Sequence, residues 1–307
     1  RSHRQRGTMA TVCDTAALLR NNILLALAAY EERTGEDPRP HLRQAAAVLE
    51  RTLEKTQSTI FLWNDLCATK CELARQETLH GQNASELLRS GFAACQHAIN
   101  LSPEIHVGYL NQACLHREEA RTQLTLGEPV NIKPGLDALA LATQRKPGDS
   151  EILVEEVLLH MLEARSQATH NKPPQSALQA AQRVLDRLGQ SFPGIHPFYV
   201  LSADLLRTKL DTAQESVSAS ELQAGVALID EGLRKHPNDP DIRLGKASTL
   251  LVRAETKKGK DARTDLTAAL TLLDSVRPIL GQRAEFLALE ARAQQIRAAL
   301  TISKSRS

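Results

Sequence analysis

The sequence predicts an all-α protein built from repeated helix pairs, and three observations predict it. Alanine and leucine dominate the 307 residues, aromatic residues make up 3%, and charged residues make up 24%. These residue types lose little conformational freedom in a helix, while those that strands favour are scarce. Prolines recur at Pro103, Pro147, Pro193, Pro237 and Pro278, spaced by 44, 46, 44 and 41 residues. Between them falls a second, Gly/Asn/Pro-rich kind of break, so each unit holds two helices.

Taken in order, the chain opens on basic residues Arg1, Arg4 and Arg6, and the apolar run Ile23 to Tyr30 follows. Asp14, Arg20, Asn21 and Asn22 cut that run off from the basic start, so it predicts a first amphipathic helix and not a signal peptide. Residues 1–10 are expected to be a disordered extension or tag remnant, 11–300 the repeat array, and 301–307 a frayed polar tail. The Gly/Asn/Pro-rich breaks lie at Thr34 to Pro40, Gly81 to Ser85, Gly127 to Pro129, Asn171 to Pro174, Glu215 to Ser220 and Lys258 to Asp261. Each spaced proline follows a run that reads as a helix C-terminus, such as Gln144-Arg145-Lys146 before Pro147 and Leu233 to His236 before Pro237. Basic residues in a last turn complement the helix dipole, and proline blocks continuation. The pattern accommodates seven helices that follow a spaced proline and six that follow the other break. No single pair can bury its own apolar face, so a period in this range predicts a solenoid of stacked pairs.

Two segments carry a family resemblance. Ala94-Cys95-Gln96-His97-Ala98-Ile99-Asn100-Leu101-Ser102-Pro103, followed by Asn111-Gln112-Ala113-Cys114, resembles the second helix, proline turn and next first helix of a tetratricopeptide repeat. Ile229 to Pro240 is similar. The units run 41–47 residues where that family usually has 34, and the long units resemble the repeat arms attached to bacterial serine/threonine kinases. The resemblance implies a right-handed solenoid of antiparallel helix pairs with a concave groove lined by the first helices. It also implies a cytoplasmic protein–protein interaction scaffold, the regulatory or docking arm of a kinase system. No Gly-rich nucleotide loop, His-Arg-Asp or Asp-Phe-Gly motif occurs, so no kinase activity is expected of this chain.

The cysteines Cys13, Cys67, Cys71, Cys95 and Cys114 are odd in number and confined to the first part of the chain. That does not resemble a disulfide framework, and a reducing compartment is the simpler reading. Neither Cys67-x-x-x-Cys71 nor Cys95-x-His97 and Cys114-x-His116 has the spacing of a zinc site. Cys114 lies 11 residues after Pro103, as Ser248 lies 11 after Pro237, and Cys67 lies 47 before Cys114. The cysteines therefore read as small packing residues. A Cys114–His116 nucleophile is set aside because residues two apart on a helix point in different directions. Glu118-Glu119 and Glu155-Glu156 read as solvated, and Trp63 as a core wedge. No catalytic residue, metal ligand or cofactor site is expected.

Asn64 and Asn111, 47 residues apart, hold the same register after their turns. Given the resemblance, they face the groove, where an amide can bond a partner's backbone. Glu155 takes the same register in the next unit, with Glu72 and Glu119 further along. These five are the candidate partner contacts. With 38 basic and 36 acidic residues spread evenly, nucleic acid is not an expected partner. No apolar run reaches the roughly 18 residues of a membrane span. Two other classes stay open: an enzyme with a site between helices, and a homo-oligomer pairing through terminal helices, with Phe286-Leu287-Ala288-Leu289 on the last one.

Overall fold

The computed structural model describes residues 2–56, 59–213, 217–256 and 259–305, with side chains left out at 2–13, 213, 256, 259, 284 and 302–305. The expectations for residues 1–8, Cys13, Glu215, Ser216, Lys258 and the last residues of the tail thus concern side chains or positions outside the described set. Among the described residues all regular structure is helical, in thirteen helices. They are α1 (Ser2–Thr34), α2 (Arg39–Leu53), α3 (Ile60–Leu79), α4 (Ser85–Leu101), α5 (His106–Thr125), α6 (Lys133–Arg145), α7 (Ser150–Thr169), α8 (Gln175–Ser191), α9 (His196–Ala213), α10 (Ala219–Lys235), α11 (Pro240–Thr256), α12 (Gly259–Leu280) and α13 (Ala284–Ser305).

The punctuation is local chemistry. Asp37, Asn83, Asn131, Asp149 and Asp239 each accept a backbone N–H from the opening of α2, α4, α6, α7 and α11. Those N–H groups have no partner inside their own helix, so the acceptor stabilises the start. At the other end, α1, α3, α5 and α7 close alike. The residue one or two places past the helix, Gly35, Gly81, Gly127 or Asn171, takes a positive φ of 83°, 70°, 72° or 55°. The following amide then donates back into the last turn at 2.7–2.8 Å, as Gln82 does to the Glu77 carbonyl. This is the left-handed cap that glycine adopts without strain and asparagine tolerates.

Pro103, Pro147, Pro193 and Pro237 follow α4, α6, α8 and α10 as expected. Pro278 corrects the pattern, since it sits inside α12, two residues before its end. Val276 and Leu280 on either side are fully buried. Burying a leucine is worth about 1.5–3 kcal/mol, enough to offset much of the roughly 3 kcal/mol a helical proline costs.

The chain divides within α7 into two compact units, residues 1–162 and 163–307. In the first, α1 to α5 each pack on the helix that follows in sequence, and α3 also packs on α1 and α5. In the second, α8 to α13 pack likewise in order, and α11 also packs on α9 and α13. Even-numbered helices bury one stripe, such as Ala177, Leu178, Ala181, Val184, Leu185 and Leu188 in α8. That spacing of three and four is an amphipathic helix with one covered side. The inner odd-numbered helices α3, α5, α7, α9 and α11 are covered on nearly every side: α3 buries Leu62, Asn64, Leu66, Cys67, Thr69, Cys71, Leu73, Ala74, Gln76 and Glu77. Polar residues on them therefore have to find partners inside the protein.

Candidate functional site

The five candidate contacts all lie in the first unit, on α3, α5 and α7. Asn64 is buried, and Asn111 donates its amide to the Asn64 carbonyl oxygen at 3.2 Å. The bond ties α5 to α3. The same device joins α3 to α1, where buried Asn21 donates to Asp65 at 3.2 Å and accepts from Thr69 at 3.4 Å. Burial pushes the Asp65 carboxyl above its ordinary value, against the pull of the Asn21 amide.

Glu72 lies one helical turn before Arg75, whose guanidinium it holds at 2.6 and 2.9 Å together with Glu32 of α1 at 2.6 Å. Burial works against the Arg75 charge, and the Glu72 and Glu32 carboxylates outweigh it, so the guanidinium stays above its ordinary range. Glu119 receives His116 Nδ1 at 3.1 Å, and the His116 ring lies against Phe92 with centroids 4.6 Å apart. Trp63, expected as a wedge, packs against the core and stacks on His97 at 4.4 Å.

Glu155 is buried and accepts from Arg117 Nε at 2.7 Å. Glu118 is fully buried, 2.7 Å from Arg117 Nη1 and 3.5 Å from Arg121 Nε, held by charge without a well-aligned hydrogen bond. The expectation that Glu118 and Glu155 are solvated is thereby corrected. A carboxylate survives burial when a cation shares it, and here two arginines balance two glutamates.

The structure thus brings Asn64 and Asn111 together and joins Glu155 to an arginine cluster that sequence reading missed. Arg75 lies on α3 and Arg121 on α5, 46 residues apart, close to the repeat period, and that spacing was the available signal. Of the five candidates, Glu72 and Glu119 keep the most solvent-facing carboxylates, their side chains 35% and 46% exposed.

The second unit repeats the theme with its own residues. Arg207 of α9 pairs with Asp204 at 3.0 Å and with Glu285, at the start of α13, at 3.4 Å. Arg292 of α13 grips Glu255 at 2.7 and 2.8 Å and reaches Asp211 at 3.4 Å. Phe286 and Leu289 are buried in the second unit's core, while Leu287 and Ala288 are exposed, so half of the apolar run on α13 is spent inside.

The cysteines need a further correction. Cys67 of α3 and Cys95 of α4 form a disulfide, with Cα atoms 5.2 Å apart. Both are fully buried, as packing residues would be, and so is Ser248. The bridge removes the argument from cysteine usage for a reducing compartment. Among the described residues no group of three or more His, Cys, Asp or Glu side chains could hold a metal ion, and no helix is long and apolar enough to cross a membrane.

No protein-family model matches the chain, and no curated protein matches it.

Proposed function

We propose that this chain is a protein-interaction scaffold of tetratricopeptide type, a right-handed array of antiparallel helix pairs. Its odd-numbered helices would line a groove for a segment of a partner protein. The single observation that carries this reading is the division of labour on those helices. Asn64, Asn111, Arg117 and Glu155 are spent on fixing one odd helix to the next, and Glu118 on holding Arg117 within α5. Glu72, which holds Arg75, and Glu119, which meets His116, keep side chains 35% and 46% exposed on those helices.

The length of the units supports a docking or regulatory arm of a bacterial serine/threonine kinase system, and a cytoplasmic setting rests on that resemblance alone. The scaffold reading carries no catalytic role for this chain. To test it, the immobilised chain and its Glu72→Lys/Glu119→Lys variant are compared as baits, with bound proteins identified by mass spectrometry. The variant, folded as the wild type by circular dichroism, is expected to lose the partners that bind the groove. Capture of the same proteins in the same amounts would sink the groove reading.

A second reading, self-association through a terminal helix, is favoured by α1. Leu19, Ile23, Leu27 and Tyr30 are 60%, 61%, 42% and 56% exposed. Their spacing of four, four and three places them along one side of the helix. This stripe and the groove are independent, and both could operate in one protein.

A further inference from the structure

The second unit holds a cleft that the scaffold reading does not use. Helices α8 and α10 both pack on α9, and the space between them is a cleft of about 410 Å³. Small-molecule sites occupy roughly 300–1,000 Å³. Two glycines bring α9 close to its neighbours. A Cβ on Gly189 of α8 would stand 2.6 Å from the Phe198 ring of α9, and one on Gly225 of α10 would stand 2.7 Å from a Leu206 methyl. The wall on α10 is Glu221, Ala224, Gly225 and Leu228, at i, i+3, i+4 and i+7 on one side of the helix. Two of these four carry no more than a methyl group, so that wall leaves the space unfilled. Leu185 of α8 and Leu205 of α9 add to the apolar lining, and Phe198 and Leu228 are only partly buried.

The polar groups of the lining form one chain of hydrogen bonds across the three helices. Gln182 of α8 donates to Asp186 at 2.8 Å and accepts from Lys209 of α9 at 2.9 Å. Lys209 donates again to Glu221 of α10 at 2.5 Å. Ser202, also in the lining, spends its hydroxyl on the Phe198 carbonyl at 2.6 Å. The chain uses one oxygen of Asp186 and one of Glu221 and leaves the second oxygen of each outside it. Among the lining residues two carboxylates thus stand against one ammonium, an excess of negative charge.

We propose that this cleft binds a small amine with an apolar body. Its ammonium head is taken by the Asp186 and Glu221 carboxylates, and its hydrocarbon body lies against Leu185, Leu205 and Leu228. A pocket that is mostly apolar with a few converging polar groups has the make-up of a small-molecule site. The charge of the lining selects the head group. A carboxylic acid with the same body would have to share Lys209 with Glu221 and sit beside Asp186, and like charges brought together oppose binding. A neutral alcohol meets neither the attraction nor the repulsion. The cleft stands independently of the scaffold proposal, since it needs only the packing of α8 and α10 on α9.

The test titrates the full chain with hexylamine, hexanol and hexanoate, which share one body and differ in charge, and follows binding by ligand-observed NMR. Saturable binding of hexylamine is expected, with hexanoate weaker by about tenfold or more. The preference for the amine is expected to shrink at high salt, because partly exposed carboxylates are screened. Asp186→Asn/Glu221→Gln is expected to bring the amine down to the affinity of the alcohol. Ala224→Phe, at an exposed residue of the cleft wall, is expected to abolish binding of both by filling the space. Thermal melts of the variants, expected to match the wild type, separate a lost site from a lost fold, and the carboxylate variant carries the test if Ala224→Phe melts early. No saturable binding of hexylamine would overturn the proposal, as would hexanoate binding as tightly as the amine. Amine binding that both variants leave unchanged would also overturn it, since that is adsorption elsewhere on the surface.

Discussion

Arg117 of α5 and Glu155 of α7, 38 residues apart in sequence, meet at 2.7 Å inside the first unit. Glu118 holds the same guanidinium from the next position along α5. Removing the arginine leaves two carboxylates in a site closed to water. Arg117→Ala is expected to cost about 3–5 kcal/mol, the usual penalty for breaking a buried pair from one side. Urea unfolding checks it. The triple change Arg117→Met/Glu118→Gln/Glu155→Gln is expected to recover most of the loss, because no uncompensated charge remains.

The Asn111 amide is the only side-chain group that bonds the Asn64 carbonyl among the contacts described above. Asn111→Ala is expected to lower stability by about 1 kcal/mol, the net worth of one hydrogen bond. Asn111→Asp is expected to cost more, since a carboxylate oxygen facing a carbonyl repels it. Chemical denaturation of the two variants gives the comparison, and equal losses would show that the bond carries no weight.

At the end of α3, Gly81 has a φ of 70° with nothing within 4 Å of where a Cβ would stand. The cost of Gly81→Ala is then purely conformational, on the order of 1 kcal/mol. Gly81→Asn is expected to cost less, since Asn171 occupies the corresponding place after α7 with a φ of 55°. Melting temperatures ranked wild type, Asn, Ala are the expected result.

Asp37, before α2, accepts from the Arg39 side chain and backbone. The Arg39 hydrogen bond outweighs burial and lowers the carboxyl from 3.8 to about 2. A depressed folded-state value means the contribution is complete above the ordinary carboxylate range and is lost as pH falls from about 4 towards 2. Asp37→Asn is expected to flatten the stability profile in that acid window and leave its slope near neutrality unchanged. Unfolding measured at half-unit steps of pH would expose a profile identical to wild type, which would rule the assignment out.

If α1 mediates self-association, the wild type is expected to exceed its monomer mass of 33.7 kDa in light scattering. Ile23→Glu/Leu27→Glu then returns it to that mass, because charges on the stripe cannot be desolvated cheaply. A wild type that is monomeric at high concentration would dismiss this reading.

Helix and break positions were legible because their causes are near neighbours in the chain. Pro103, Pro147, Pro193 and Pro237 act on the residues beside them, and Asp37, Asn83 and Asp149 cap helices that start within two residues. Pro278 differs because the burial of Val276 and Leu280 beside it, set by the helices packed against α12, decides whether the helix runs past it. Of the candidate site, the register of Asn64 and Asn111 was visible, but not that one would bond the other's backbone and close the first off from solvent. Cys67 and Cys95 were correctly read as packing residues, and their bridge was missed because sequence spacing does not give the distance between two helices.

The sequence by itself determined an all-helical chain, the order of its helices and the chemistry of nearly every break, since propensity, capping and proline sterics act over one or two turns. Only the tertiary structure decided which polar groups are structural and which stay accessible. Glu118 and Glu119 are adjacent and chemically identical, yet one is sealed beside Arg117 and the other reaches solvent beside His116. The difference is their angular position on α5 relative to α3, α6 and α7. Burial depends on what neighbouring helices place opposite a side chain, and that is a property of packing across tens of residues.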